Sequence, residues 1–381
     1  MTFQAFHFDP VTLPPEAGAL RSEVRDFIGQ HRALIRAAEG GRSRAFSAAM
    51  AERGWIGMTW PKKYGGHERS ALERYVVIEE MLAAHAPVGF HYTADRQSGP
   101  NILRFGTEAQ RQRFLPRVAR AEISFCIGMS EPDSGSDLAG TRTRAVKVEG
   151  GYRVNGTKLW TSNAHQSDWM ILFCKMAREG EEADRHAGAT QFLVDLKSSG
   201  IEVRPVLNLL GEHHFNEVFL TDLFVPDDCL LGEEGSGWKQ VTSELAFERS
   251  SPDRFLVLFK LLKEMVRAAG PEPDRATAAA IGRMAAQLAT LRRMSLSIAG
   301  MLQAGEQPVN EAAVVKDLGA RYEQDLPNVA RALFLAEPEL EAADAYVATL
   351  ASAILNAPRL SIQGGTREIL RGIIARGLGL R

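Results

Sequence analysis

The hydrophobic period of this 381-residue chain changes twice, and those two changes restrict the folds open to it. From about Glu16 to Ala119 apolar residues recur at three-to-four spacing, as in ALERYVVIEEMLAA over Ala71 to Ala84, the signature of helices with one buried face. From about Phe125 to Leu231 the chain breaks into short β-branched and aromatic runs bounded by turn residues: YRVNG, DWMILFCKM, ATQFLVDL, GIEVRPV and FNEVFLTDLFVP. After Gly235-Ser236-Gly237 the helical period returns, with Phe255, Leu258, Leu262 and Met265 on one stripe and Ile281, Met284, Leu288, Leu291 and Ile298 on another. Long helices joined by short loops form bundles. The expectation is an α+β protein: a helical domain over 1–122, a β domain over 123–232 and a helical bundle over 233–381. Within the β zone, Asn155-Gly156 predicts a type I′ hairpin, because both residues tolerate positive φ.

Charge and cysteine usage exclude several function classes. Forty-five basic and 47 acidic residues are well mixed and sum to −2, so no electrostatic footprint for nucleic acid stands out. Cys126, Cys174 and Cys229 are far apart, odd in number and without a C-x-x-C pair, which predicts core thiols rather than disulfides or a zinc site. The N-terminus lacks a basic stretch followed by an apolar core, and no run of about 18 apolar residues occurs, so the expectation is a cytoplasmic protein without a membrane span. His213-His214 suggests metal at first sight, but no third ligand lies at motif spacing and adjacent strand residues face opposite ways, so no metal is expected.

Three segments carry chemistry. FCIGMSEPDSGSDLAG, Phe125 to Gly140, offers Ser130, Ser134, Gly135 and Ser136: hydroxyls and close backbone approach, as a polar cofactor edge requires. NGTKLWTSNA ends with Trp160 beside Thr161, Ser162 and Asn163, an indole able to stack on a flat heterocycle while a hydroxyl bonds its edge. Taken singly, these read as an ordinary Gly/Ser/Pro loop and a buried core tryptophan. RLSIQGGTREILRGIIAR places Thr366 as the N-cap of a last helix, with Glu368 in its first turn.

Together with GWIGMTWPKKYGG, FNEVFLTDLFVPDDCLLGEEGSGW and GGTREILRGIIARGLGL, these segments resemble the acyl-CoA dehydrogenase family over nearly the whole chain. The resemblance implies an N-terminal helical domain, a middle β-barrel-like domain and a C-terminal four-helix bundle. It implies FAD between the β domain and the bundle, and an acyl-CoA thioester dehydrogenated to 2-enoyl-CoA in lipid metabolism. By the same resemblance Met129, Ser130 and Ser136 contact the cofactor, with Ser136 also near the thioester. Trp160 lies against the isoalloxazine ring, and Thr161 and Ser162 bond its pyrimidine side and N5. Thr366 and Glu368 border the cofactor at the helix N-terminus, a place rich in free N–H groups. Gly364, Gly365, Arg249 and Arg376 are assigned to the substrate.

The general base is the point of departure. Many relatives carry a glutamate two residues before the threonine of the C-terminal motif, where this chain has Gly364. A second arrangement in the family places the glutamate in a Glu-Arg pair on the first bundle helix, matched here by Glu248-Arg249 in SELAFERSSPDRF. Glu248 is therefore the expected base, with the Gly364 N–H retained as an oxyanion donor. On the residues alone, Glu244 and Glu248 also read as one solvated helix face. Two further family features are missing: Arg275 in DRATAAAIG lacks a following Phe-Gly, and EPELEAADAYVATL stands where a glycine-rich stretch would accept adenine. Such losses accompany heterotetramers in which unlike subunits share flavin sites. The expected partners are thus an electron-transfer flavoprotein and either further copies, as a dimer or tetramer, or a second acyl-CoA dehydrogenase-like subunit. The alternatives are a catalytically silent subunit and a flavin oxidase or oxygenase on the same fold.

Overall fold

The computed structural model describes residues 6–177 and 184–380. In chain order its helices are α1 (Pro15–Gln30), α2 (Arg32–Ala37), α3 (Arg44–Glu52), α4 (Ala71–Ala83), α5 (Gly99–Phe105) and α6 (Glu108–Ala119). The strands follow: β1 (Phe125–Gly128), β2 (Arg144–Val148), β3 (Gly151–Lys158), β4 (Trp169–Met176), β5 (Ala189–Asp195), β6 (Ile201–Leu207), β7 (His213–Pro226) and β8 (Leu230–Leu231). The chain then returns to helices: α7 (Gly237–Ser250), α8 (Phe259–Ala269), α9 (Arg275–Gln303), α10 (Val309–Leu333), α11 (Ala345–Leu360) and α12 (Arg367–Gly377). The helical, β, helical order expected from the periods is the order observed. The chain clusters into two compact units, one of residues 1–30, 70–86 and 246–381 and one of residues 31–69 and 87–245.

The first unit is helical, and side-chain caps start its helices. Ser70 and Glu73 form a reciprocal capping box on α4; Asp274, Asp344 and Thr366 accept N–H groups at the starts of α9, α11 and α12. Both sequence stripes face one core, where Phe255, Leu258, Leu262 and Met265 pack with Met284, Leu291 and Ile298 from α9 and Val315, Tyr322 and Leu326 from α10. Glu79 and Glu80 are buried on α4, and three arginines neutralise them. Arg21 lies 2.9 Å and Arg292 2.6 Å from Glu79, and Arg25 lies 2.7 Å from Glu80.

In the second unit the strands form a mixed sheet in the order β6-β7-β3-β2-β4-β5-β8, with β1 also pairing with β4. The apolar run of β4 is buried along nearly its whole length, whereas the edge strand β6 has no buried residue. From α6, Phe114 packs edge-on against Phe125 and Trp169, at 5.9 and 4.8 Å between ring centroids.

The hairpin expected at Asn155-Gly156 is not there. Both residues lie within β3, and the turn into that strand is Glu149-Gly150, with Gly150 at φ 73. Gly156 adopts φ 154 at a bulge in the β3–β7 ladder, where a Cβ would lie 2.4 Å from the Thr143 hydroxyl. The glycine serves a close approach between strands rather than a chain reversal.

Candidate active site

Five residues implied to contact the cofactor gather in the second unit, at the ends of β1 and β3. Met129 and Ser130 follow β1, and Trp160, Thr161 and Ser162 follow β3. Two hydrogen bonds join the segments: the Leu159 N–H donates to the Ser130 carbonyl at 2.8 Å, and Lys158 Nζ donates to the Met129 carbonyl at 3.0 Å. Trp160 is 54% exposed, whereas Trp55, Trp60 and Trp169 are buried. The Thr161 hydroxyl oxygen is buried and has no hydrogen-bond partner among the described residues. An open indole face beside an unsatisfied hydroxyl suits a planar heteroaromatic group with a polar edge, so these residues fit the flavin the resemblance implies. Ser136 stands exposed in the turn beyond Glu131.

An ion pair buried beneath this corner fixes it. Lys158 is fully buried, 2.8 Å from Glu131. Glu131 also accepts from the N–H groups of Arg142 and Thr143, at 2.7 and 3.0 Å, and from the Thr143 hydroxyl at 2.6 Å. Burial opposes the carboxylate's charge, but the Lys158 ammonium and these donors outweigh it and hold the group at about 2. Burial pushes the Cys126 and Cys174 thiols up to about 12, in keeping with inert core cysteines.

The base and substrate residues Glu248, Arg249, Gly364, Gly365 and Arg376 belong to the first unit. Glu248 and Arg249 occupy the last turn of α7; the Glu248 side chain lies outside the described residues. Arg249 is buried, and its Nε donates to the Gly364 carbonyl at 3.2 Å, tying the turn that carries Glu248 to the glycine pair. Gly364 and Gly365 adopt φ 72 and 103, a backbone that residues with a Cβ avoid. Thr366 caps α12 through a 3.4 Å bond from the Ile369 N–H, Glu368 is exposed in the first turn, and Arg376 is exposed in the last.

Sequence reasoning missed the helix that supports this corner, α10. Its Lys316 donates to the Leu360 carbonyl at 2.6 Å, just before the glycine pair, and its Asp317 pairs with Arg367 at 2.8 Å. Glu323 accepts from the Leu258 N–H at 3.2 Å, and a Cβ at Gly319 would lie 2.3 Å from the Arg254 carbonyl. Full burial pushes the Glu323 carboxyl up to about 7, against the opposing pull of the Leu258 N–H and Lys316. The available signal was a lysine and a glutamate on the apolar stripe of α10, at the heptad spacing 316 and 323. Lys158 was legible in the same way, since the alternation Tyr152, Val154, Gly156, Lys158 points it inward.

Among the described residues no three potential metal ligands cluster. His213 stacks on His165, with ring centroids 3.6 Å apart. Burial, followed by the neighbouring His213, lowers the His165 pKa below its ordinary value. No helix of the described residues is long and apolar enough to cross a membrane.

Three acyl-CoA dehydrogenase domain models match the chain: the N-terminal domain over residues 14–122, the middle domain over 126–223 and the C-terminal domain over 235–379. Acyl-CoA dehydrogenase IpdE1 of Mycobacterium tuberculosis is 33% identical over 346 residues, covering 88% of each chain. FadE34 of the same organism is 33% identical over 375 residues, 96% of this chain but 49% of FadE34, so the chain spans about half the length of that relative. Among solved structures, the Tcur3481-Tcur3483 steroid ACAD is similar at a TM-score of 0.85 and 26% identity, over 97% of this chain and 100% of that one.

Proposed function

The chain belongs to the acyl-CoA dehydrogenase family, and from that premise we propose that it oxidises an acyl-CoA thioester to the 2-enoyl-CoA, with FAD as cofactor and Glu248 as general base. The observation that carries the base assignment is the 3.2 Å bond from Arg249 to the Gly364 carbonyl. It fixes the helical turn of Glu248 to the turn that carries an oxyanion donor in relatives. Glu248 takes the α proton, and the Gly364 N–H stabilises the charge that develops on the thioester oxygen. Bound FAD supplies the acceptor for the hydride leaving the β carbon. Trp160 offers a flat face to the ring, and Thr161 and Ser162 offer hydroxyls to its polar edge. An electron-transfer flavoprotein is the proposed oxidant of the reduced enzyme. The similar structure's paired name, Tcur3481-Tcur3483, supports a second acyl-CoA dehydrogenase-like chain as partner, and its steroid designation supports a bulky acyl group.

The test is anaerobic addition of acyl-CoA thioesters, short, branched and steroid-derived, to the purified flavin-loaded protein, alone and with candidate partner chains. Bleaching of the flavin band by one thioester is expected. Glu248→Gln is expected to slow that bleaching about 10²–10⁴-fold while thioester binding persists. An unchanged rate in Glu248→Gln refutes the base assignment, and a colourless chain inert with added FAD favours the silent-subunit alternative.

A further inference from the structure

Four consecutive residues of β7 each engage the segment that follows β3. The His213 ring stacks on His165 at 3.6 Å, with 16° between planes. The His214 carbonyl accepts from the Asn163 N–H at 2.9 Å. The Phe215 ring meets Trp160 edge-on, with centroids 5.6 Å apart. Asn216 makes the densest contact. Its backbone carbonyl accepts from the Thr161 N–H at 3.0 Å, and its Nδ2 donates to the Thr161 carbonyl at 2.8 Å. One residue thereby satisfies both backbone groups of Thr161, as a neighbouring strand would, although Thr161 lies in no strand.

The orientation of the Asn216 carboxamide follows from chemistry. Only its nitrogen can face the Thr161 carbonyl, so Oδ1 points the other way, where it lies 3.1 Å from His165 Nδ1 and 2.8 Å from His213 Nε2. Both ring nitrogens therefore carry hydrogens and donate to it. Asn216 is 0% exposed, so every one of these partners replaces water.

The clip holds a strained stretch. Trp160 at φ 61 and Asn163 at φ 58 are both left-handed, and such residues persist where their surroundings over-determine them. Between them lies Thr161, with its buried, unpartnered hydroxyl. We propose that Asn216, seated by His165 and His213, is the positioning residue that fixes Thr161 and, through it, the Trp160–Ser162 face presented to the flavin. This rests on the flavin reading above and gives the paired histidines a task that involves neither metal nor substrate.

Two readouts separate the proposal from that reading. The first is amide hydrogen exchange over residues 159–166 in protein stripped of FAD; the second is FAD affinity, from flavin fluorescence and the shape of the bound visible band. Asn216→Asp keeps an acceptor for both histidines but turns a lone pair toward the Thr161 carbonyl. It is expected to exchange about tenfold faster over 159–166, unchanged over β4 and β5, and to bind FAD about tenfold more weakly. His213→Phe keeps a stacked ring at an exposed position and removes one donor, so a smaller change of the same sign is expected in a variant that folds. Wild-type exchange over 159–166 in Asn216→Asp overturns the proposal, as does a loosened segment that binds FAD with wild-type affinity and spectrum. If the wild-type chain itself binds no FAD, the flavin reading fails, while the exchange data still decide whether Asn216 pins the segment.

Discussion

Replacing Glu323 with glutamine should abolish a pH dependence of stability that runs opposite to ordinary acid denaturation. The Glu323 carboxyl is fully buried on α10, and burial holds its proton to about pH 7, against a value of 4.5 in the unfolded chain. Between those values the folded state binds the proton and the unfolded state has released it, so stability falls as pH rises through the window and is level above it. The full separation corresponds to about 3 kcal/mol, of which about 2 kcal/mol lies between pH 5 and pH 8. The carboxamide of Glu323→Gln cannot titrate, yet its oxygen can still accept from the Leu258 N–H, so little is lost at the acid end. Urea titrations of both proteins at about pH 5 and pH 8, followed by far-UV circular dichroism and by exchange of the α10 amides, read the difference. The variant should match the wild type near pH 5 and exceed it by about 2 kcal/mol near pH 8. Equal pH slopes in the two proteins would refute the argument that Glu323 is the group responsible.

Glu131 predicts the opposite sign in the other unit. Its carboxylate is held at about 2, below the unfolded 4.5, so it contributes stability above that window that is lost as pH falls through it, while burial of the Lys158 ammonium opposes the gain. Lys158→Met leaves a buried, uncompensated carboxylate and should cost about 3–5 kcal/mol near neutral pH, whereas Lys158→Met with Glu131→Gln should recover part of that; a double variant no more stable than Lys158→Met contradicts the pairing. Gly364→Ala places a Cβ at φ 72 and should lower stability by about 1–2 kcal/mol in urea titrations; an unchanged midpoint means that the turn readily adopts another conformation.

The sequence disclosed what depends on period, and less of what depends on contacts between distant segments. Phe255, Leu258, Leu262 and Met265 were readable as core because a helix repeats its buried face every three to four residues. Thr366 was readable as a cap because its partner N–H lies three residues away. Asn155-Gly156 misled because positive φ is compatible both with a hairpin turn and with the tight approach of Thr143 at a bulge, and only the pairing register separates the two. Asn216 could not have been assigned, since its partners Thr161 and His165 lie more than fifty residues earlier and the match between HHFN and WTSNAH is one of shape. The link from Arg249 to Gly364 is equally closed to local reasoning, although each motif is legible by itself.

That link gives a physical reason for a Glu-Arg pair and a Gly-Gly pair to occur together. A buried guanidinium needs acceptors, and Arg249 takes one from the Gly364 carbonyl. The backbone that presents this carbonyl has φ 72 and 103 at successive residues, available cheaply to glycine alone. A Cβ at Gly365 would lie 3.3 Å from the Arg249 Nη2, so the guanidinium would have to give by a few tenths of an ångström. A glutamate at position 364 would thus have to occupy a left-handed backbone beside the carbonyl that accepts from Arg249. With glycine at 364 the turn keeps its N–H groups and its shape, and Arg249, the residue after the proposed base Glu248, ties to that turn. Charge and strain in this corner support the proposal of a base from α7 rather than from the turn itself.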